Sequence, residues 1–402
     1  MSLHLRLVVL ILLIPAVPAW AEPPVIHSQT PLEPAVTLRF EEDWRVGGDD
    51  PDLMFGLMVE AAVDPAGHVY LMDQQLNTVT VVSPEGTVLR QLFREGDGPG
   101  EIRTPQGIAV LPDGRVALAQ QFPGKFIMVD AAGDPAGSMT LVGGKAANEG
   151  FTVLAGCRAR GEVLLASGMF QVPAEGRQTR TSYVAKINLA DGTETQRYRV
   201  HDTVLDFTKA ELIEREMVAP CYTHALGPDG RIYVTRDWRE YAIEVLAPDG
   251  TLEKVMTREF HPLKRTKQER DRINELFQVQ ADQLPFPITW EIEPTEPYVG
   301  GMHVDTAGTL WVSNHRSDHE LPEGIFTSFD TFDPDGRWRR VVQVACDGDP
   351  DYDGLILLDD DRVLLVKGLV LARLTATGSQ GAVFGEDGGE AEMEVICGRL
   401  VE

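Results

Sequence analysis

Residues 55–100 read FGLMVEAAVDPAGHVYLMDQQLNTVTVVSPEGTVLRQLFREGDGPG, and this stretch decides the fold. Apolar residues run through Leu57–Val63, Val69–Met72, Thr78–Val82 and Val88–Phe93 with the period of two that marks β-strands. Two tight connections punctuate them, Asp64-Pro65-Ala66-Gly67 and Ser83-Pro84-Glu85-Gly86. In each, proline presets the first turn position and glycine takes the positive φ that closes it. The stretch is one four-stranded antiparallel sheet. Such a sheet cannot bury both its faces alone, so it needs copies of itself on either side.

The copies are in the sequence. The first turn recurs as LPDG (111–114), RARG (158–161), GPDG (227–230), DTAG (305–308) and, degenerate, LDDD (358–361). The second recurs as DAAG (130–133), LADG (189–192), APDG (247–250), DPDG (333–336) and TATG (375–378). Alternating runs such as VALAQ, EVLLAS, IYVTRD and LWVSN follow the first turn. Six copies predict an all-β fold, a six-bladed β-propeller of four-stranded antiparallel blades. Ring closure removes the raw sheet edges that an open array would leave. No 3.6-residue apolar period runs through the repeats, which excludes a helical solenoid. Val36–Arg45 mimics the outermost strand of the first sheet, so it is expected to complete the sixth blade beside Met393–Leu400. Val370–Leu374 fits either a third strand of that blade or an insertion.

Residues 1–21 read as an export signal: Arg6, the apolar run Leu7–Ile14, then the small-x-small site Ala19-Trp20-Ala21. The run is shorter than the ~20 residues a membrane span needs. The expected organisation is therefore signal peptide 1–21, linker 22–35 and one propeller domain 36–402, in a periplasmic or secreted protein. Net charge is −26, and −27 once Arg6 is removed (35 basic against 62 acidic residues). Such a surface repels phosphate backbones and anionic headgroups, which argues against nucleic acid and favours cations or basic partners. Four cysteines follow the signal, at 157, 221, 346 and 397. Cys157 and Cys221 fall about 16 Å out of register at ~3.3 Å per strand residue. Cys346 with Cys397 would tie the penultimate blade to the C-terminal strand.

Two inserts interrupt the repeats. Phe170–Arg180 reads as a polar surface loop. In Glu259–Pro297, Thr266-Lys267-Gln268-Glu269 is a capping box, with Ile273, Leu276 and Phe277 on one face behind it. That predicts a helix near 267–281. Lys264, Arg265, Lys267, Arg270 and Arg272 would make it a basic patch, either stapled to the acidic surface or lying as a lid over the channel mouth.

The repeat resembles the NHL type, and more closely the exported bacterial six-bladed β-propellers. FEEDWRVGG, VDPAGHVYLMD, REGDGPGE, GTLWVSN and FDPDGRW carry the likeness, over residues 36–400. The resemblance implies the fold and, for most members, no assigned activity. It also implies a site at one end of the channel, where equivalent positions hold Glu60, Gln106, Tyr222, His224, His303 and Asp353. Related lactonases and amidating lyases place calcium carboxylates or zinc histidines there. Glu60 and Asp353 are hard oxygen donors suited to calcium, and His224 and His303 suit a softer metal or acid–base work. The two histidines lie one position apart in the alignment, which would send them to opposite faces.

Asp349-Pro350-Asp351-Tyr352-Asp353-Gly354 has the spacing of a calcium-loop start, with Asp349, Asp351 and Asp353 as candidate ligands and Asp360 at the far end. A strand follows instead of the usual helix. His315 and His319 share a connection after a strand, where four-residue spacing has no special geometry. The chain has no nucleophile elbow, no phosphate-binding glycine loop and no helical HExxH motif. These readings favour a binding or interaction module for a protein, peptide or carbohydrate. The alternative is a metal-dependent hydrolase or lyase at the channel mouth.

Overall fold

The structure is a computed structural model that describes residues 23–141, 150–206, 211–217, 223–282, 287–313, 320–376 and 393–402. The export signal, Cys221, Tyr222, His315 and His319 lie outside the described residues. The chain opens with β1 (Val25–Ser28) and β2 (Val36–Gly47). The decisive stretch then forms β3 (Met58–Val63), β4 (Val69–Asp73), β5 (Thr78–Val82) and β6 (Val88–Leu92), side by side in chain order. The unit repeats as β7 (Pro105–Val110), β8 (Val116–Gln120), β9 (Lys125–Val129) and β10 (Pro135–Thr140). Longer strands follow in β11 (Phe151–Arg160), β12 (Val163–Ala174), β13 (Arg177–Ile187) and β14 (Glu194–Asp206).

After β15 (Glu211–Ile213) and α1 (Glu214–Met217) come β16 (His224–Leu226), β17 (Ile232–Thr235), β18 (Ala242–Leu246) and β19 (Leu252–Arg258). The helical insert supplies α2 (Lys267–Asp282) and β20 (Thr289–Glu291). The chain continues through β21 (Met302–Val304), β22 (Leu310–Ser313), β23 (Thr327–Phe332) and β24 (Trp338–Ala345). It ends with β25 (Gly354–Leu357), β26 (Val363–Lys367), α3 (Leu369–Ala376) and β27 (Glu394–Val401). The result is an all-β, propeller-like fold.

β2 is the strand that joins the ends. Its first residues, Val36–Arg39, pair in parallel with Val342–Ala345 of β24. Its remainder, Arg39–Gly47, pairs antiparallel with β27. One eight-stranded sheet results, in the order β21-β22-β23-β24-β2-β27-β26-β25. Residues 25–28, expected within a linker, instead form a fifth strand parallel to β19. The reason is local: β19 ends a sheet, and its free backbone groups take up the first extended segment that reaches them.

Middle strands are buried along their whole length, as in β4 and β8, because each sheet packs on both faces. Leu164 joins Phe126 and Met128 of the preceding sheet, while Leu165 joins Ile232 and Val234 of the next. The ring is shut by Trp44, Val366 and Val395, which pack on Met58, Leu71 and Val82. Gly86, at φ +88°, sits under Trp44; a Cβ there would stand 2.5 Å from the Trp44 Cβ.

Three expectations change. Phe170–Arg180 is no loop: β12 and β13 pair continuously out to Ala174 and Arg177, and only Glu175 and Gly176 turn. Val370–Leu374 lies within α3. Cys346 and Cys397 are free thiols. Successive β27 side chains leave opposite faces, so Cys397 packs with Val366 and Val395 while Cys346 packs with Leu365 and Ile396 on the other side. A sheet's thickness separates the two sulfurs.

Candidate functional site

The innermost strands converge on a narrow axial channel. They approach closely: a Cβ on Gly107 of β7 would meet the Cys157 backbone nitrogen of β11 at 2.5 Å. One hollow of about 40 Å³ is walled by β3, β7, β11 and the end of β25, with Glu60, Cys157, Arg158 and Asp359 among its residues. A second, of about 10 Å³, lies among Arg158, Arg160, Leu226, His303 and Asp359. A water needs roughly 10–15 Å³ of such space, so the two hollows have room for a few waters and for no organic substrate of ordinary size.

Arg160 lines the smaller hollow. Its guanidinium donates to the carbonyl oxygens of Val304 at 2.8 Å and Leu226 at 3.3 Å, and reaches those of Asp305 and Asp359 at 3.5 Å. Burial pushes the Glu60 carboxyl up to about 7, against the pull of Arg158, the Ile108 N–H and Arg373 of α3. His303 is driven down to about 3, first by burial and then by Arg158 and Arg160, so it is neutral at physiological pH. Asp359 is raised by burial, with Arg160 and Arg158 opposing. The Cys157 thiol is pushed well above its ordinary value by burial and by Glu60, which makes it inert as a nucleophile.

The structure disperses the residues expected to act together. His303 lines the channel, one residue before the Val304–Leu310 pair; His224 stands two residues before the Leu226–Ile232 pair and faces away. Gln106 falls in the register shift between Pro105 and Gly107. The Asp353 carboxylate accepts from the backbone N–H groups of Asp349 and Gly368, both at 2.9 Å, and pairs with Lys367 at 3.2 Å. Asp349 caps the Asp351 N–H, and Asp360 is paired with Arg362. Among the described residues, no three His, Cys, Asp or Glu side chains gather as a metal site. Glu60 stands beside cationic side chains. Among the described residues, neither the channel nor the 349–360 loop gathers three side-chain ligands for calcium or zinc.

A larger hollow of about 400 Å³ lies among the projecting end of β14, α1 and residues 237–238. His201, Asp202 and Val204 line it from β14, with Glu216 of α1, Asp237 and Trp238 opposite. The insert is anchored by a buried ionic cluster and not by its basic surface. Arg265, 4% exposed, makes a bidentate pair with Glu214 at 2.7 and 2.9 Å and a further one with Glu296 at 2.7 Å. Glu293 takes Arg215 at 2.9 Å and Arg239 at 2.8 Å. β20 pairs in parallel with β15, and the Trp238 indole donates to the Thr295 carbonyl at 3.3 Å. Thr266 and Glu269 cap α2 reciprocally. These contacts brace α1 and Trp238, which line the groove, against the insert. Sequence reading missed the groove because its walls come from β14, α1 and 237–238, which no repeat aligns. Arg158 and Arg160 were hidden inside a turn signature.

No protein-family profile and no curated protein match the chain. Among solved structures, a calcium-binding protein, regucalcin, from Agrobacterium tumefaciens aligns at 13% identity and TM-score 0.40, over 91% of this chain and 96% of that one. A virginiamycin B lyase from Staphylococcus aureus aligns at 9% identity and TM-score 0.43, over 89% and 99%. A member of the DUF4221 family from Bacteroides vulgatus aligns at 9% identity and TM-score 0.49, over 90% and 98%. Among the described residues, no helix is long and apolar enough to cross a membrane.

Proposed function

We propose that the chain is an exported, NHL-like six-bladed β-propeller that binds an extended, basic segment of a partner protein in the groove beside β14. Taking the eight-stranded sheet as two blades that share β2 gives the count of six. The N-terminal basic, apolar and small-x-small pattern supports export.

One observation carries the binding reading: the groove runs along the end of β14, the last strand of its sheet among the described residues. A terminal strand offers a row of backbone donors and acceptors to an added strand. The molecule uses this geometry itself, since β1 lies on β19 and β2 on β24 as added parallel strands. Asp202, Glu216 and Asp237 make the groove acidic, and Arg215 is already held by Glu293. A segment with lysine or arginine therefore fits better than an acidic one. The hydrolase alternative gains no support from the geometry, since Glu60, His224, His303 and Asp353 do not converge.

The test is fluorescence anisotropy of the mature chain with extended lysine-rich and glutamate-rich peptides, beside an oligosaccharide array. Lysine-rich peptides are expected to bind, more weakly as salt rises. Thr203→Pro removes one β14 backbone donor and is expected to weaken binding about ten-fold. Binding of oligosaccharides with none of the peptides would overturn the reading.

A further inference from the structure

Three large apolar side chains stand in water where the sheet of β3–β6 meets the sheet of β7–β10, at the end of the ring where β3 and β7 begin. Met54, Leu76 and Phe122 are 73%, 42% and 58% exposed. Buried polar groups tie their backbones together. The Asp73 carboxylate accepts from the N–H groups of Gly56 at 2.7 Å, Leu57 at 3.1 Å and Leu76 at 2.8 Å, which sets the connection before β3 beside the one after β4. A Cβ on Gly56 would stand 3.0 Å from the Gln75 side chain. Buried Asn77 accepts from the Thr104 N–H at 2.9 Å, and the Thr104 carbonyl accepts from the Gln121 N–H at 3.2 Å. Buried Gln120 donates to the Phe122 carbonyl at 2.8 Å, and the Phe122 ring meets Phe151 edge-on with centroids 5.6 Å apart. Asn77 at φ +58° and Thr104 at φ +47° hold left-handed backbone here, which a β-branched residue adopts only under constraint. Polar side chains are thus buried to fix loop tips whose own apolar groups stay in water. That buries no apolar surface in the free chain, but it lowers the ordering cost of contact with a partner.

The charge around the tips states what kind of partner fits. Arg94 and Arg103 are paired within their own loop, with Glu101 and with Glu95 and Asp97. Asp49, Asp50 and Asp52 are exposed in the connection that carries Met54, and among the described residues they have no cationic partner. Lys125, at the start of β9, is a nearby cation without an ion pair, and it is half-buried. We propose that this junction is a docking surface for a partner protein whose contact face sets apolar side chains among lysine or arginine. Met54, Leu76 and Phe122 take the apolar side chains, and the 49–52 carboxylates take the cations. A second copy of this chain is a poor occupant, because it would press the same carboxylates together at a net charge of −26. An anionic bilayer is repelled for the same reason. The surface shares no residue with the groove beside β14 and does not depend on it.

The test is fluorescence anisotropy of the mature chain with two amphipathic peptides of one leucine and phenylalanine pattern, one flanked by lysine and the other by glutamate. The lysine form is expected to bind about ten-fold or more tightly than the glutamate form, and less tightly as salt rises. Leu76→Ser with Phe122→Ser removes two apolar anchors and is expected to weaken binding about ten- to a hundred-fold. Thr203→Pro, in the other groove, is expected to leave it unchanged, which separates the two sites. Asp49→Asn, Asp50→Asn and Asp52→Asn together are expected to weaken binding and flatten its salt dependence, and they decide the matter if the serine variant does not fold. No binding of the lysine form, equal binding by the serine variant, or loss of binding in Thr203→Pro would each overturn the proposal. Sedimentation equilibrium that shows a dimer abolished by Phe122→Ser would name a second copy as the occupant and overturn it too.

Discussion

Asp330 and Arg258 form a buried ion pair that joins the sheet of β16–β19 to that of β21–β24, and breaking it should be among the costliest single changes in the molecule. Both side chains are 1% exposed, with Arg258 Nη2 2.8 Å from Asp330 Oδ2. The same oxygen accepts from Arg258 Nε at 2.9 Å and from the Tyr241 hydroxyl at 2.7 Å. The guanidinium is sandwiched by the rings of Trp338, Tyr241 and Phe260, at 4.4, 4.6 and 4.8 Å from their centroids. Asp330→Ala strands a cation in this aromatic cage, a loss of about 3–5 kcal/mol. With about 2.1 cal/mol/K of unfolding entropy per residue over roughly 380 residues, the melting temperature should fall by about 4–6 °C. Removing both charges together, as Arg258→Met with Asp330→Leu, should recover most of that loss, because two apolar side chains need no hydration in the same space. Scanning calorimetry of the four proteins in the cycle gives the coupling directly. If Asp330→Ala melts within a degree of wild type, or the double variant is the least stable of the four, the account of this interface is wrong.

Gly86→Ala combines φ +88° with a Cβ 2.5 Å from that of Trp44, so it should cost about 1–3 kcal/mol, visible as a lower denaturation midpoint. The Glu60 carboxyl titrates at about 7 in the fold against 4.5 ordinarily. Between those values the folded state keeps a proton that the unfolded chain has lost, so stability falls as pH rises through the window. Glu60→Gln should therefore melt higher than wild type above pH 7 and no higher near pH 4, a difference that melting scans across pH would show. His303 works in the other sense: its folded value near 3, against 6.5, makes stability fall as pH drops through that range, and His303→Gln should flatten the acid limb of the same scans. Cys157, Cys346 and Cys397 are free, so a reductant should leave the melting temperature unchanged; a fall would point to a cross-link among them.

The sequence by itself determined the repeating unit. Asp64-Pro65-Ala66-Gly67 and its copies turn where local backbone preference says they must: Gly67 has φ +84° and Asp64 Oδ1 accepts from the Ala66 and His68 N–H groups. Thr266 with Glu269 marked the start of α2 by the same local chemistry. The pairing of β2 with β27 was legible because Val36–Arg45 copies an outer strand. Tertiary structure alone decided what depends on neighbours distant in the chain. β1 became a strand because β19 was open to it, and Cys346 and Cys397 were parted because Cys397 packs on one face of β27 and Cys346 against the other. Asp353 looked like a calcium ligand until Gly368, Asp349 and Lys367 took its oxygens. Arg158 and Arg160 looked like turn residues until strands distant in the chain lined the same hollows with them. Local turn geometry is written within four or five residues, whereas the charge and width of a channel are sums over strands drawn from the whole ring.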